Sequence, residues 1–191
     1  MYTPKDTIAY DYEGEKYNEI LRERRLEYNA KEIARVHELN PGQKKGTIVM
    51  CASNADYIYI SKRLRVALPD ENHFNAGEVN AIKESSEKFI LCGCHIVCEG
   101  IDLPGRVSTV VLLKHPFSGD QNVPIPARQK EARRLVQQCV GRIRRTPEDK
   151  GVVVCLGGAK QARAIIADIT TMEDAEDCIA TETLDVWPFD S

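Results

Sequence analysis

Short, uninterrupted apolar runs rich in β-branched residues alternate with longer helical stretches along the chain. Such runs are typical of parallel strands, because helices cover both faces of a parallel sheet. A helix between two strands supplies the crossover that parallel pairing needs. The sequence therefore predicts an α/β fold with a mainly parallel central sheet and helices on both faces. The predicted strands are 46–51, 72–74, 89–92, 107–113 and 151–156, and the predicted helices are 13–39, 54–67, 77–86, 127–145 and 159–167.

The chain has 191 residues, which suits one domain of ordinary size. We predict a helical lead-in at 1–44, an α/β domain at 45–167 and an acidic tail at 168–191. The apolar pattern of the lead-in changes near Asn29, which indicates a phase shift or a kink. Two positions are open for the lead-in helix: against this domain, or as a bridge to another part of a larger protein.

The charge is distributed unevenly. The net charge is −3, but 126–150 holds eight Lys or Arg against three Asp or Glu, whereas 168–191 holds eight acidic residues and no Lys or Arg. A basic helix beside an acidic tail is compatible with nucleic-acid binding, although the whole-chain charge is not evidence for it. One hypothesis is that the tail covers the basic helix when nucleic acid is absent.

The seven cysteines include no C-x-x-C pair, and this favours reduced, mostly buried thiols in a reducing compartment. The stretch Cys92, Cys94, Cys98, with His95 between them, lacks the second ligand pair that structural zinc usually has, so we predict no metal site. No apolar run is long enough to span a membrane, and the acidic, polar start is not a secretory signal. We expect a cytoplasmic protein, or a nucleoid or nuclear one if the source is eukaryotic.

Two polar segments interrupt the pattern of strands and helices. The first is CEGIDLPG at 98–105, and the second is ARRLVQQCVGRIRR at 132–145, which reads as Q-x-x-G-R-x-x-R. In this order and spacing they resemble motifs V and VI of superfamily 2 helicases, in the second of their two RecA-like domains. EGIDLPG, the HPF at 115–117 and the EDKGVVV at 148–154 are most similar to the XPD/DinG branch. The resemblance covers roughly 45–165 and implies a RecA-like three-layer fold.

The resemblance implies roles for the motif VI segment. Arg142 and Arg145 would reach an ATP bound on a first RecA-like domain, with Arg145 as the arginine finger that stabilises charge during phosphoryl transfer. Gln138 would contact the γ-phosphate or the attacking water, and Gly141 would allow close approach of the backbone. Arg144 would face elsewhere and contact DNA. The alternative is a basic helix end that binds only solvent or the acidic tail.

The motif V segment would link nucleotide and nucleic acid in the same family. Asp102 would contact the ATP ribose or the motif VI arginines, Glu99 would help to hold that network, and the Gly100 backbone would approach a phosphate. Because the segment follows the strand 89–92, we place it at the carboxyl ends of the strands, where such sheets bind ligands. The alternative is a turn stabilised by Asp102.

The segment GTIVMCASNADYIYISKRL at 46–64 resembles motif IV. In that resemblance Ser53 and Asn54 stand at a helix N-terminus, whose free backbone N–H groups can hold a nucleic-acid phosphate. The alternative, compatible with the first, is that one of the two residues is simply the N-cap of the helix.

The printed sequence contains no phosphate loop and no acidic magnesium motif. We therefore expect ATP and Mg to be bound mainly by a first RecA-like domain absent from this chain, in cis or as a separate subunit, and expect this chain alone to be inactive. Single-stranded DNA is the expected track, with RNA as a possible substitute and 5′-to-3′ movement implied by the resemblance. The competing hypothesis is a non-catalytic nucleic-acid-binding or regulatory module that retains the helicase fold.

Overall fold

Five parallel strands form the central sheet of the computed structural model, which describes residues 19–40, 46–94, 97, 101–117, 119–143 and 151–170. The strand order is β2-β3-β1-β4-β5, and every neighbouring pair is parallel. The elements in chain order are α1 (Glu19–Glu38), β1 (Gly46–Met50), α2 (Asn54–Ala67), β2 (Asn72–Asn75), a 3₁₀ turn (Ala76–Glu78), α3 (Val79–Glu84), β3 (Phe89–Gly93), β4 (Val107–Leu112), α4 (Ile125–Ile143), β5 (Val152–Cys155) and α5 (Ala159–Ile169).

Helices cover both faces of the sheet, so the predicted three-layer α/β architecture is confirmed. On one face α1 and α2 pack against alternate strand residues such as Val49, Ile90 and Val111. On the other face α3, α4 and α5 pack against the intervening strand residues, among them Ile48 and Val110. The alternation arises because successive strand side chains point to opposite faces, and both faces are buried here.

The lead-in helix packs on this domain. The guanidinium of Arg22 lies 2.7 Å from the carboxylate of Asp56 in α2, and Arg63 of α2 lies 3.0 Å from Glu27 of α1. The helix continues through Asn29, which is fully buried. The predicted change in the apolar pattern therefore reflects a polar residue in a core position, while the residues before Glu19 lie outside the described part of the chain.

Several predicted boundaries shift. The basic helix begins at Ile125 rather than at 127, and its described part ends at Ile143. The last helix extends to Ile169, so Asp168, which the sequence analysis assigned to the tail, lies within α5 and is buried. The rest of the tail, 171–191, lies outside the described residues.

The described cysteines only partly follow the prediction of reduced thiols. Cys51, Cys92, Cys94 and Cys155 are free. Burial raises the pKa of Cys92 to about 12 and that of Cys155 to about 11, so both stay protonated at neutral pH. Cys139 of α4 is disulfide-bonded, so the prediction is wrong at that position.

Across the described residues, no helix is long and apolar enough to cross a bilayer.

Candidate functional site

The predicted site residues that the structure describes fall at two opposite ends of the parallel strands. We call these the carboxyl end, where the strands finish, and the amino end, where they begin. Helices α2 and α4 both start at the carboxyl end, after β1 and β4. Helix α4 finishes at the amino end, where a Cβ on Gly151 would overlap Ile143 and the carbonyl oxygen of Ser108.

At the amino end, the last turns of α4 carry Gln138, Gly141 and Arg142. The Oε1 of Gln138 is buried, and no described residue donates a hydrogen bond to it. A Cβ added to Gly141 would have no described atom outside its own helix turn within 4 Å. Buried polar atoms are normally paired, and glycine lowers helix stability relative to alanine. Packing within the described domain thus explains neither feature.

Asp102 is exposed and belongs to the amino end, which corrects the predicted location of the motif V segment. The segment follows β3 in the chain, but its described residues, 101–105, lead through Arg106 directly into the start of β4. Asp102 immediately precedes a turn in which the Arg106 N–H donates to the Leu103 carbonyl oxygen (3.2 Å), and the Arg106 carbonyl oxygen accepts from the N–H of Gly46 at the start of β1 (2.6 Å). Asp102 therefore lies at the same end as Arg142.

Four predicted site residues lie outside the described residues: Glu99, Gly100, Arg144 and Arg145. Their roles stay predictions.

Arg106 is a residue whose importance the sequence did not reveal. Its guanidinium donates to the backbone carbonyl oxygens of Ile82, Ser85 and Glu87, around the C-terminus of α3. It also lies 5.4 Å from the centre of the Phe89 ring. Cations are favourable at a helix C-terminus, where carbonyl groups lack helical partners. Arg106 thereby fixes the end of the motif V segment, only four residues after Asp102.

At the carboxyl end, Ser53 caps α2. Its Oγ accepts a hydrogen bond from the Asp56 backbone N–H at 3.2 Å, so the N-cap interpretation of this residue is confirmed. Asn54 is exposed, and its Oδ1 accepts a hydrogen bond from the thiol of Cys94 at the end of β3 (3.2 Å). Burial, with the nearby charge of Asp56, raises the pKa of Cys94, which keeps the thiol protonated as a donor. The two predicted phosphate contacts therefore lie together at the start of α2.

The loop after β4 is anchored to α5. His115 Nε2 lies 2.7 Å from an Asp168 carboxylate oxygen, and the His115 backbone N–H donates to Gln161 Oε1 at 3.0 Å. Helix α4 joins the same group: Arg133 Nε lies 3.4 Å from Asp168, and Gln137 Nε2 donates to the Asp168 carbonyl oxygen at 3.2 Å. Sequence patterns could not identify Asp168, because it lies 53 positions from His115.

The arginines of the first half of α4 have intramolecular partners. Arg134 forms an ion pair with Glu131 at 2.6 Å, and Arg128 stacks over the ring of Phe117 at 5.0 Å. With Arg133 at Asp168, three of the charges that make this helix basic are already engaged. No group of three His, Cys, Asp or Glu side chains suited to a metal ion occurs in the described ranges.

Solved helicase domains share this fold. Domain 2 of the DEAD-box helicase Mss116p, solved with an RNA duplex, is similar with a TM-score of 0.54 and 12% identity, over 83% of this chain and 57% of that chain. Xpd4 of S. tokodaii is similar with a TM-score of 0.51 and 14% identity, over 91% of this chain and 36% of that chain. No family model and no curated protein sequence matches. The chain therefore has the fold of a RecA-like helicase domain and spans less than two thirds of either solved chain.

Proposed function

We propose that this chain is the second motor domain of an ATP-dependent nucleic-acid helicase. It would supply an arginine finger and strand-binding loops to a first RecA-like domain outside the chain. The observation that carries the proposal is the end of α4, where the buried Oε1 of Gln138 accepts no hydrogen bond from the described residues and none of them fills the space beside Gly141. Both features suit a surface completed by another domain and its nucleotide.

The amino-end residues fit a nucleoside triphosphate held by the first domain. Gln138 Oε1 can accept a hydrogen bond from a water at the γ-phosphate, and the open side of Gly141 gives room for close approach. Arg142 adds a guanidinium on the next position, and the exposed Asp102 lies at the same end as a partner for a ribose hydroxyl or an arginine. ATP would supply the phosphoryl group, with Mg²⁺ held mainly by the first domain. The finger itself would be Arg145, two positions after the last described residue of α4.

The carboxyl-end residues fit a nucleic-acid backbone. Free N–H groups at the start of α2 can bind a phosphate while Ser53 Oγ satisfies one of them, so the N-cap and the phosphate contact are compatible. Asn54 stands exposed beside them. Nucleic acid and nucleotide would thus bind at opposite ends of one rigid sheet, joined by the motif V segment with Glu99 and Gly100.

Single-stranded DNA is the proposed track, because the motif segments are most similar to the XPD/DinG branch. RNA is the alternative, and Mss116p domain 2 was solved with an RNA duplex. Competition between DNA and RNA oligonucleotides of one sequence would decide between them. Binding should weaken steeply with salt, since phosphate contacts release counterions.

The test uses the assembly of this chain with the first RecA-like domain that carries the phosphate loop, purified from the native source as one polypeptide or as two subunits. In that assembly, Arg145→Ala should lower nucleic-acid-stimulated ATP hydrolysis by about 10³- to 10⁵-fold while oligonucleotide binding persists. The matched control is Arg134→Ala, which removes the same charge from an exposed ion pair with Glu131 and should leave hydrolysis unchanged.

Two outcomes would contradict the motor function. If Arg145→Ala changes neither hydrolysis nor binding, the chain is better described as a non-catalytic module that retained the fold. If the isolated 191-residue chain hydrolyses ATP by itself, the proposal that hydrolysis needs a first RecA-like domain is wrong.

A further inference from the structure

An aromatic ring and an arginine form a pair on the loop after β4. The guanidinium carbon of Arg128, in the first turn of α4, lies 5.0 Å from the centre of the Phe117 ring. Both side chains are half-buried, so part of the pair faces solvent. At such a partly exposed site the cation–π contact itself contributes roughly 0.5–1 kcal/mol.

The pair lies beside the proposed phosphate site. Strands β1 and β4 are neighbours, and the Leu113 backbone N–H, just past β4, donates to the Met50 carbonyl oxygen at the end of β1 (3.2 Å). The loop that carries Lys114 and Phe117 therefore leaves the sheet next to the loop that carries Ser53. A strand whose phosphate binds at α2 would bring its bases to this neighbourhood.

The pair is held in place before any ligand binds. The Phe117 backbone N–H donates to the His115 carbonyl oxygen at 2.8 Å, and His115 is fixed by Gln161 and by Asp168. His115 is thus held by α5, the Phe117 backbone is held by His115, and Arg128 lies within α4. A fixed surface loses little conformational entropy on binding, which favours recognition by stacking.

We propose that Phe117 and Arg128 form a stacking platform for an unpaired nucleobase of the bound strand. The ligand is a single-stranded nucleic acid whose phosphate binds at the start of α2 and whose base stacks on the ring. Every base has a π-face, so the platform is tolerant of sequence, and the arginine contributes a cation–π contact. This inference rests on the proposed nucleic-acid binding and adds a second, base-dependent contact to it.

The test compares a deoxythymidine oligonucleotide with an abasic oligonucleotide of the same length, which has the same phosphates and no bases. The unaltered chain should bind the base-bearing strand more tightly, by about 5- to 150-fold per stacked base. Phe117→Ala should lose most of that preference while its affinity for the abasic strand stays unchanged. Phe117→Tyr should keep the preference because it keeps the ring.

Charge-matched arginine variants separate stacking from simple electrostatics. Arg128→Ala should reduce both the affinity and the preference for bases. Arg134→Ala, with the same loss of charge on the same helix, should leave the preference intact. A fluorescence measurement covers the case in which Phe117→Ala folds poorly: Phe117→Trp combined with Trp187→Phe should show quenching by the base-bearing strand and none by the abasic one.

The outcomes distinguish the platform from the proposed function. The platform would be overturned if the chain bound both oligonucleotides with equal, salt-dependent affinity. It would also be overturned if Phe117→Ala lowered the affinity for both oligonucleotides equally and the tryptophan variant showed no quenching. Either result would leave the motor function intact. Absence of binding to either strand by the assembled protein would overturn both.

Discussion

The two halves of α4 differ in how their polar groups are used. In the first half, Arg128, Arg133 and Arg134 contact Phe117, Asp168 and Glu131 respectively. In the second half, the described domain provides no partner for Gln138 Oε1 and no neighbour for a side chain at Gly141. The polar groups of the first half thus position α4 in the domain. The features of the second half suit contacts outside the domain.

The boundary between the halves falls between two adjacent glutamines. Gln137 Nε2 donates to the Asp168 carbonyl oxygen, whereas Gln138 Oε1 is buried and accepts nothing from the described residues. The side chains are chemically identical, so their difference comes from position alone. This pair makes the comparison testable, since each glutamine is the control for the other.

Gln138→Ala should have the largest effect of these substitutions. In the assembled motor it should lower kcat by about 10²- to 10³-fold, as removal of one hydrogen-bonding group at a reacting centre commonly does. The free energy of unfolding of the chain should not fall, because no hydrogen bond to Oε1 within the described domain is lost. Gln137→Ala should do the reverse, with kcat unchanged and about 1 kcal/mol of stability lost. The same response from both variants would remove the distinction between the two halves.

A buried histidine, His37, lies in α1, one of the two helices on the other face of the sheet from α4. His37 of α1 is fully buried, with Nδ1 2.9 Å from Thr47 Oγ1 and Nε2 3.3 Å from Glu71. Burial lowers the pKa of His37 to about 4 from 6.5; Lys88 and His73 act in the same direction, and Glu71 opposes them. His37 is therefore neutral in the folded chain at pH 7.

The sign of the pH effect follows from this lowered pKa. Between pH 6.5 and 4 the unfolded chain binds a proton at His37 that the folded chain does not, so stability should fall as the solution is acidified through this window, by about 3 kcal/mol in total. Urea unfolding of the chain and of His37→Gln from pH 7.5 to 4.5 would measure it. The difference between the two curves should change with pH; a constant difference would show that His37 does not stay neutral in the fold.

The sequence alone predicted the fold well, because four of the five strands are buried apolar runs such as VSTVVL; only β2, with the sequence NHFN, is half-buried. It also predicted that Ser53 could cap α2, since capping depends on residues three positions apart. Features of this kind depend on residues that are close in sequence, so they can be predicted without knowledge of the fold. The described residues of the motif VI segment, 132–143, are likewise close in sequence and lie on one helix.

Contacts between distant segments could not be predicted in this way. Nothing near Asp168 indicates that its carboxylate meets His115 and Arg133, and its acidic neighbours made it look like part of a tail. Asp102 was placed at the wrong end of the strands because a loop that starts at one end can cross to the other. The hydrogen bond between Gly46 and Arg106, across 60 positions, decides this location and leaves no trace in local sequence.

Gly141→Ala should give the smallest change, with opposite signs in two measurements. Alanine is more favourable than glycine in a helix by up to about 1 kcal/mol, and the described neighbours leave room for a methyl group, so the Tm of the chain should rise by about 2–4 °C. In the assembled motor the same methyl group would occupy the space proposed for close approach, and ATP hydrolysis should fall. Gly151→Ala is the control, because its methyl group would overlap Ser108 and Ile143 and should lower the Tm. A Gly141→Ala chain that is both more stable and fully active would show that the open space at the end of α4 serves no partner.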